Sequence, residues 1–282
     1  GIRTQVFLKG CPLRCLWCSN PESQEAAPQL AYNADKCLGC GRCVATCPQQ
    51  ALRLEQDGIH RDRERCDPAC RACAEVCPGQ ALTFYGKTMT AREVLDKVEE
   101  DAAFYARSGG GLTLSGGEPL QQGDFCLSIL EEAEHRAVHT AMESCGQAPE
   151  ETILAACGKL DYLLFDIKHL DSEAHKKATG MGNERILRNL AAVRSAYPHL
   201  PIHLRTPLIP GINDDAELIR RIVELARSMD AVHYELLPYH RMGEQKYRFL
   251  GREYPYGGPA QVDAGILARL RDIVEEVFPE KD

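Results

Sequence analysis

A chain of 282 residues, 44% hydrophobic and 26% charged, is long enough for one large core or for a core plus a small module, with an ordinary globular balance. A formal net charge of −8 without any basic cluster argues against a nucleic-acid partner. The longest apolar runs, such as 162–165, fall far short of the ~20 residues a membrane-crossing helix needs, so no membrane partner is expected. No signal peptide is visible and a cytoplasmic location is expected; the chain starts at Gly1 rather than Met, inside a segment that reads as strand, which leaves its natural start open.

The first element, 4–8, reads as a short buried strand. It runs into Cys11-Pro-Leu-Arg-Cys15-Leu-Trp-Cys18, three thiols on one tight loop. Three thiolates can hold three irons of a four-iron, four-sulfur cluster and leave the fourth open, and an open position separates catalytic metal sites from closed structural ones. A zinc knuckle would need a fourth ligand close by, and no His or Cys follows until Cys37.

Of the 14 cysteines, eight fall between Cys37 and Cys77. Cys37-x2-Cys40-x2-Cys43-x3-Cys47-Pro48 matches the bacterial ferredoxin run, and Cys66-x3-Cys70-x2-Cys73-x3-Cys77-Pro78 repeats it with one extra residue after its first cysteine. In two-cluster ferredoxins the fourth cysteine of each run ligates the other cluster. This assigns Cys37, Cys40, Cys43 and Cys77 to one cluster and Cys66, Cys70, Cys73 and Cys47 to the other. Little apolar sequence lies between Pro28 and Tyr85, so metal would have to supply stability there, on the order of 10 kcal/mol for structural zinc. A disulfide scaffold fits neither the spacing nor the two following prolines.

Beyond residue 85 the pattern becomes regular. Thr90-Ala-Arg-Glu93 is a capping box, followed by Val94, Val98, Ala102 and Tyr105 at helical spacing. Strands are expected at 111–114, 138–142, 162–167, 202–206 and 232–237. Helices are expected near 125–134, 150–157 and 184–196, around Leu218, Ile222 and Leu225, and around Ile266, Leu270, Ile273 and Val277. Six strands alternating with helices predict an α/β fold with a parallel sheet and right-handed crossovers, a partial (β/α)6 TIM-like barrel. The expected division is 1–28 with 86–282 as the barrel, and 29–85 as an inserted bacterial-ferredoxin-like domain with two clusters.

In barrel-like folds, chemistry gathers at the C-terminal strand ends. Those ends carry Ser115-Gly116-Gly117-Glu118-Pro119, Glu143-Ser144-Cys145, Asp166-Ile167-Lys168, Arg205 and Leu237-Pro-Tyr-His240. Together with the C-x3-C-x2-C loop, and with Trp17 in the aromatic position before its third cysteine, they resemble the radical S-adenosylmethionine superfamily. The Leu237–His240 stretch is similar to a segment of the activating enzymes of glycyl radical enzymes.

This resemblance implies roles. Cys11, Cys15 and Cys18 would carry the catalytic [4Fe-4S] cluster, making three such clusters in all. Gly116, Gly117 and Glu118, with Glu143 and Ser144, would meet the methionine amino group of S-adenosylmethionine. Asp166 and His240 would meet the ribose, Lys168 and Arg205 the methionine carboxylate, with Trp17 and Ser19 beside the cluster. A monovalent cation is implied near Glu143 and Asp166. Cys126, Cys145 and Cys157 lack ligand spacing and read as core or free thiols. The implied activity is reductive cleavage of S-adenosylmethionine to a 5′-deoxyadenosyl radical that abstracts hydrogen from a glycine Cα of a partner glycyl radical enzyme. A flavodoxin or ferredoxin is expected as electron donor, and the chain as a monomer. The residues fit partners of choline, diol, isethionate or arylacetate type equally. Two other readings stay open here: a radical enzyme acting on a small molecule or peptide, and an electron-transfer ferredoxin fused to an inert domain.

Overall fold

A computed structural model describes residues 1–279; residues 280–282, the end of the expected barrel segment, lie outside them. β1 (Arg3–Leu8) leads into the three-cysteine loop. Residues 29–85 then carry elements that the periodicity did not announce: β2 (Gln29–Tyr32), α1 (Arg42–Thr46), β3 (Leu52–Glu55), β4 (Gly58–Arg61), α2 (Ala72–Glu75) and β5 (Leu82–Tyr85). β2 pairs antiparallel with β5, Gln29 opposite Tyr85, and β3 with β4, Leu52 opposite Arg61. Gly58 closes the second hairpin at φ 128°, where a side chain would strike the Tyr32 ring. Leu30, Leu52 and Leu82 form a small buried cluster with Cys43 and Cys73. Two of its five buried residues are cysteines of the two runs, which agrees with the scarcity of apolar sequence.

The chain continues through α3 (Ala91–Val98), α4 (Ala102–Ser108), β6 (Gly111–Gly116), α5 (Gly123–His135), β7 (Thr140–Ser144), α6 (Glu150–Cys157) and β8 (Tyr162–Asp166). Next come α7 (Ser172–Thr179), α8 (Glu184–Ala196), β9 (Ile202–Leu208), α9 (Ala216–Ser228), β10 (His233–Pro238), α10 (Glu244–Phe249) and α11 (Ala264–Glu275). The six expected strands form one parallel sheet in the order β1-β6-β7-β8-β9-β10, with β1 and β10 as open edges. This is the α/β sheet of a partial barrel.

Alternation along each strand gives the sheet two unlike faces. Leu112, Leu114, Met142, Leu163, Phe165, Ile202 and Leu204 are fully buried in the main core, with Leu95, Ile129, Ile153, Leu190 and Ile222 from the covering helices. The residues between them, Thr113, Ser115, Glu143, Asp166 and Arg205, point to the other, concave face, and this is the face that can hold a polar ligand.

Two strands start later than expected, and for one reason. β7 begins at Thr140 rather than 138 because Ala137 turns to φ 52° and Val138 N–H returns to Ala133 O at 2.9 Å, a helix-ending αL motif. The same device delays β10: Asp230 sits at φ 47° and Ala231 N–H bonds Ala226 O at 3.0 Å. The capping box is present: Glu93 N–H donates to Thr90 Oγ1 at 3.2 Å and Thr90 N–H to Glu93 Oε2 at 2.8 Å. Thr90→Ala removes one half of it and is expected to cost about 1 kcal/mol. Thermal unfolding of the variant should show a midpoint about 2–4 °C lower.

Candidate active site

The three-cysteine loop is held at both ends by backbone bonds. Gly10 N–H donates to Ser23 O at 2.8 Å and Cys11 N–H to Gln24 O at 3.1 Å. Arg14 N–H and Leu16 N–H donate to Thr179 O and Ala178 O, at 2.6 and 3.0 Å, at the end of α7. Trp17 seats the loop in a second apolar cluster with Ala178, Ile209, Tyr239 and Tyr256. Burial pushes the Cys11 thiol up to about 11 and the Cys15 thiol up to about 12, with Lys168 pulling the other way, and burial raises Cys18 as well. Thiols in such surroundings stay protonated until a metal takes the proton's place.

Opposite this loop, Arg205 on β9 lies between two carboxylates. Its guanidinium donates to Glu143 Oε1 at 3.0 Å and to Asp166 Oδ1 at 2.9 and 3.1 Å. Lys168 Nζ meets Asp166 Oδ2 at 3.0 Å, and Ser115 Oγ donates to Glu143 Oε2 at 2.6 Å. Burial alone would raise Asp166, yet Lys168 and Arg205 outweigh it and hold the carboxyl below its usual range. Both cations are held charged by the same pairing against the downward pull of burial. These groups are largely buried, with side-chain exposures of 9%, 11% and 19% for Lys168, Arg205 and Asp166, so they are no surface ion pair. The guanidinium spans the two carboxylates to which the resemblance assigns a monovalent cation.

One cavity of about 390 Å³ collects these parts. Cys11, Cys15, Trp17, Cys18, Ser19, Gly116, Gly117, Glu143, Ser144, Asp166, Lys168, Arg205 and His240 all line it. Glu118 does not. It is fully buried behind the wall, where its carboxylate accepts from Cys145 N–H at 2.7 Å, Ser144 Oγ at 2.9 Å and Leu120 N–H at 3.2 Å. Burial raises its pKa, and these donors oppose the rise. The motif carboxylate thus faces away from the cavity because three donors behind the wall satisfy it, and it orients Ser144 instead. Glu118→Gln turns one acceptor into a donor facing a donor, which should cost about 1–3 kcal/mol. We expect it as a lowered thermal midpoint, checked by calorimetry.

Among the polar residues lining the cavity, Asn20, Gln24, Ser115 and Tyr239 carried no assigned role in the sequence, and Cys145 was read as a core or free thiol. Tyr239 lies inside the Leu-Pro-Tyr-His segment and Cys145 directly after Glu143-Ser144, so position could have flagged both. Cys145 is therefore a wall residue, whereas Cys126 and Cys157 are core, 0% and 2% exposed.

In residues 29–85, Cys37, Cys40, Cys43 and Cys77 surround one small cavity. Cys66 and Cys73 lie within electrostatic reach of Cys70 and Cys47. Cys73 also lies within such reach of Cys43, so the two sets of cysteines adjoin. A single zinc at about 2.3 Å from each sulfur would draw its ligands to about 3.8 Å from one another. Among the described residues no three cysteine sulfurs lie within 4.8 Å of each other, the one such group of ligand atoms being the exposed Glu55, Asp57 and His60.

Comparison with known proteins agrees with this geometry. Residues 6–222 match the radical SAM superfamily. The chain belongs to the radical SAM superfamily. Membership implies S-adenosylmethionine and a [4Fe-4S] cluster, which the three-thiol loop and its polar cavity fit. This radical SAM protein is 52% identical over 261 residues to the isethionate sulfite-lyase activating enzyme of Desulfovibrio desulfuricans, covering 91% of this chain and 84% of that one. It is 51% identical over 273 residues to the (2S)-3-sulfopropanediol sulfolyase activating enzyme of Bilophila wadsworthia, covering 96% and 90%. The crystal structure of Streptococcus suis SuiB bound to precursor peptide SuiA shares the fold at a TM-score of 0.57 and 12% identity, covering 97% of this chain and 45% of that one. No helix is long and apolar enough to cross a membrane among the described residues.

Proposed function

We propose that this radical SAM protein is the activating enzyme of a glycyl radical enzyme, and that its partner is a lyase acting on a sulfonate. The observation that carries the reading is the cavity itself, which combines the superfamily's thiol loop with a buried cationic pair, in a chain about half identical to two activating enzymes along nearly its whole length.

Cys11, Cys15 and Cys18 would hold three irons of the cluster. A cluster bound there, once reduced by an external one-electron donor, would supply the electron that breaks the sulfur–5′-carbon bond of S-adenosylmethionine, so that methionine and a 5′-deoxyadenosyl radical would form and the radical would take a hydrogen atom from a glycine Cα of the partner. The chain's own residues bind and orient. Gly116 and Gly117 bring bare backbone to the wall, and with Ser144 and Glu143 they meet the methionine ammonium. Lys168 and Arg205 exchange part of their hold on Asp166 for the methionine carboxylate, Arg205 offering a planar fork. Asp166 then turns to the ribose with His240 at the rim. Arg205 already balances Glu143 and Asp166, so we assign no cation between them. Trp17 and Ser19 keep the loop dry and in place, which protects a reactive radical from water.

Residues 29–85 are read as a ferredoxin-like domain with two further [4Fe-4S] clusters, one on Cys37, Cys40, Cys43 and Cys77, the other on Cys47, Cys66, Cys70 and Cys73. Its ends support the boundary, since Gln29 and Tyr85 are direct partners across β2 and β5. A flavodoxin or ferredoxin in a reducing cytoplasm would donate the electron to a monomeric enzyme.

The test uses an isethionate sulfite-lyase deuterated at its glycine Cα positions. Under reducing anaerobic conditions with S-adenosylmethionine, the reading predicts a protein-centred radical on the lyase and deuterium in the 5′-deoxyadenosine. Cleavage of S-adenosylmethionine without deuterium transfer from any glycyl radical lyase to the 5′-deoxyadenosine would overturn it.

A further inference from the structure

The cavity has two unlike ends. At one, Ser115, Ser144, Lys168 and Arg205 each donate to a carboxylate of the same wall, so polar groups there are paired with one another. At the other, Trp17 packs with Ile209 and Tyr239, and the wall runs from the thiol loop through Ser19 and Asn20 to Pro238, Tyr239 and His240 at the end of β10. The two segments of that wall touch. A Cβ at Gly243 would lie 2.6 Å from Ser19 Cα and 3.1 Å from Cys18 O, so glycine lets the backbones meet.

Asn20 stands out at this second end. It precedes the short 3-10 turn Pro21–Ser23, where an asparagine side chain ordinarily accepts a backbone N–H, yet it makes no such capping bond. Its Oδ1 accepts instead from Lys246 Nζ at 2.9 Å, and the same ammonium donates to Glu22 Oε1 at 2.6 Å. Asn20 lines the cavity and Lys246 does not, so the amide oxygen is drawn toward the back of the wall. An asparagine amide has an acceptor on one side and two donors on the other. With the oxygen held by a cation, the N–H2 is the side left for the cavity. The segment itself is pinned: Ser23 O and Gln24 O accept from Gly10 and Cys11, and Gln24 Oε1 accepts from Arg252 Nη2 at 2.5 Å. A ligand for this end needs a flat apolar part and nearby acceptors. Adenosine has both, in its base and in its ring nitrogens and ribose oxygens, whereas the paired charges at the first end suit an amino-acid group.

We infer that Asn20 binds the adenosine half of S-adenosylmethionine through its amide N–H2, and that Lys246 is the positioning residue that turns the amide that way. The inference rests on the reading of this cavity as the S-adenosylmethionine site. It gives the segment after β10 a second task besides supplying His240, since α10 carries the cation that orients a ligand contact on the thiol loop.

The experiment is anaerobic equilibrium binding to the reconstituted holoenzyme. Two ligands are used, S-adenosylmethionine and 5′-methylthioadenosine, which keeps the adenosine and lacks the amino-acid group. Asn20→Asp preserves the size of the side chain and an acceptor for Lys246 but has no N–H2. Its affinity for both ligands should fall about tenfold, the effect of losing one hydrogen bond, with iron content unchanged. Should Asn20→Asp lower the iron content, Asn20→Ala removes the same donor and replaces it. Lys246→Met should weaken both ligands by a smaller factor, and Lys246→Arg should restore them. Because the lysine acts through the amide, Asn20→Asp combined with Lys246→Met should bind no worse than Asn20→Asp alone. Unchanged binding in Asn20→Asp, or a loss for S-adenosylmethionine alone, overturns the contact with adenosine. Losses that add in the double variant overturn the positioning role of Lys246. A wild-type holoenzyme that binds neither ligand overturns the reading of the cavity, and the inference with it.

Discussion

Cys15→Ala is expected to abolish 5′-deoxyadenosine formation while leaving the rest of the chain folded. Outer-sphere partners of a metal centre typically cost 10–100-fold when removed, so a direct ligand should cost more than about 100-fold. Iron should fall by about four per chain, the content of one cluster. The fold should survive because the loop's backbone does not depend on that thiol: Arg14 N–H and Leu16 N–H, on either side of Cys15, are tied to Thr179 O and Ala178 O. Iron analysis and chromatographic quantification of 5′-deoxyadenosine check the result. Loss of all iron would show instead that the loop is needed for the whole structure.

Arg205→Met should damage both stability and binding. Its guanidinium is shared by Glu143 and Asp166, and removing it leaves two largely buried carboxylates with Lys168 as the remaining cation at Asp166. Breaking a buried ion pair in this way costs about 3–5 kcal/mol. For a domain of this size the thermal midpoint should drop by about 6–15 °C. The sign with pH follows from Asp166. Burial pushes its carboxyl up from 3.8, but Lys168 and Arg205 together hold it lower. Its stabilisation is therefore present above 3.8 and disappears as the pH falls through the lower native value. Without Arg205 the carboxyl moves up, so the deficit of the variant is largest at neutral pH and narrows in acid. Arg205→Lys should recover much of the stability and little of the affinity for S-adenosylmethionine, because one ammonium cannot grip a carboxylate with two parallel bonds. Melting curves across pH and the KM for S-adenosylmethionine together check this.

Much of this was legible from residues alone, for identifiable reasons. The barrel strands announce themselves because one face of each is buried, as in Leu112 and Leu114, or Leu163 and Phe165. The cysteine runs are legible because cluster ligation demands close spacing along the chain. Pairings between distant segments are not. β2 meets β5 across more than fifty residues, and neither four-residue strand shows a period of its own. The inward turn of Glu118 was equally hidden, since the motif names a carboxylate and only the fold reveals that Ser144 and Cys145 reach it from behind the wall.

The most direct test of the account is anaerobic. The clusters are reconstituted and reduced with dithionite, S-adenosylmethionine is added, and iron and 5′-deoxyadenosine are counted. The account predicts about twelve irons per chain, at four per cluster, with 5′-deoxyadenosine formed. About eight irons and no 5′-deoxyadenosine would mean that Cys11, Cys15 and Cys18 hold no catalytic cluster, and would contradict it.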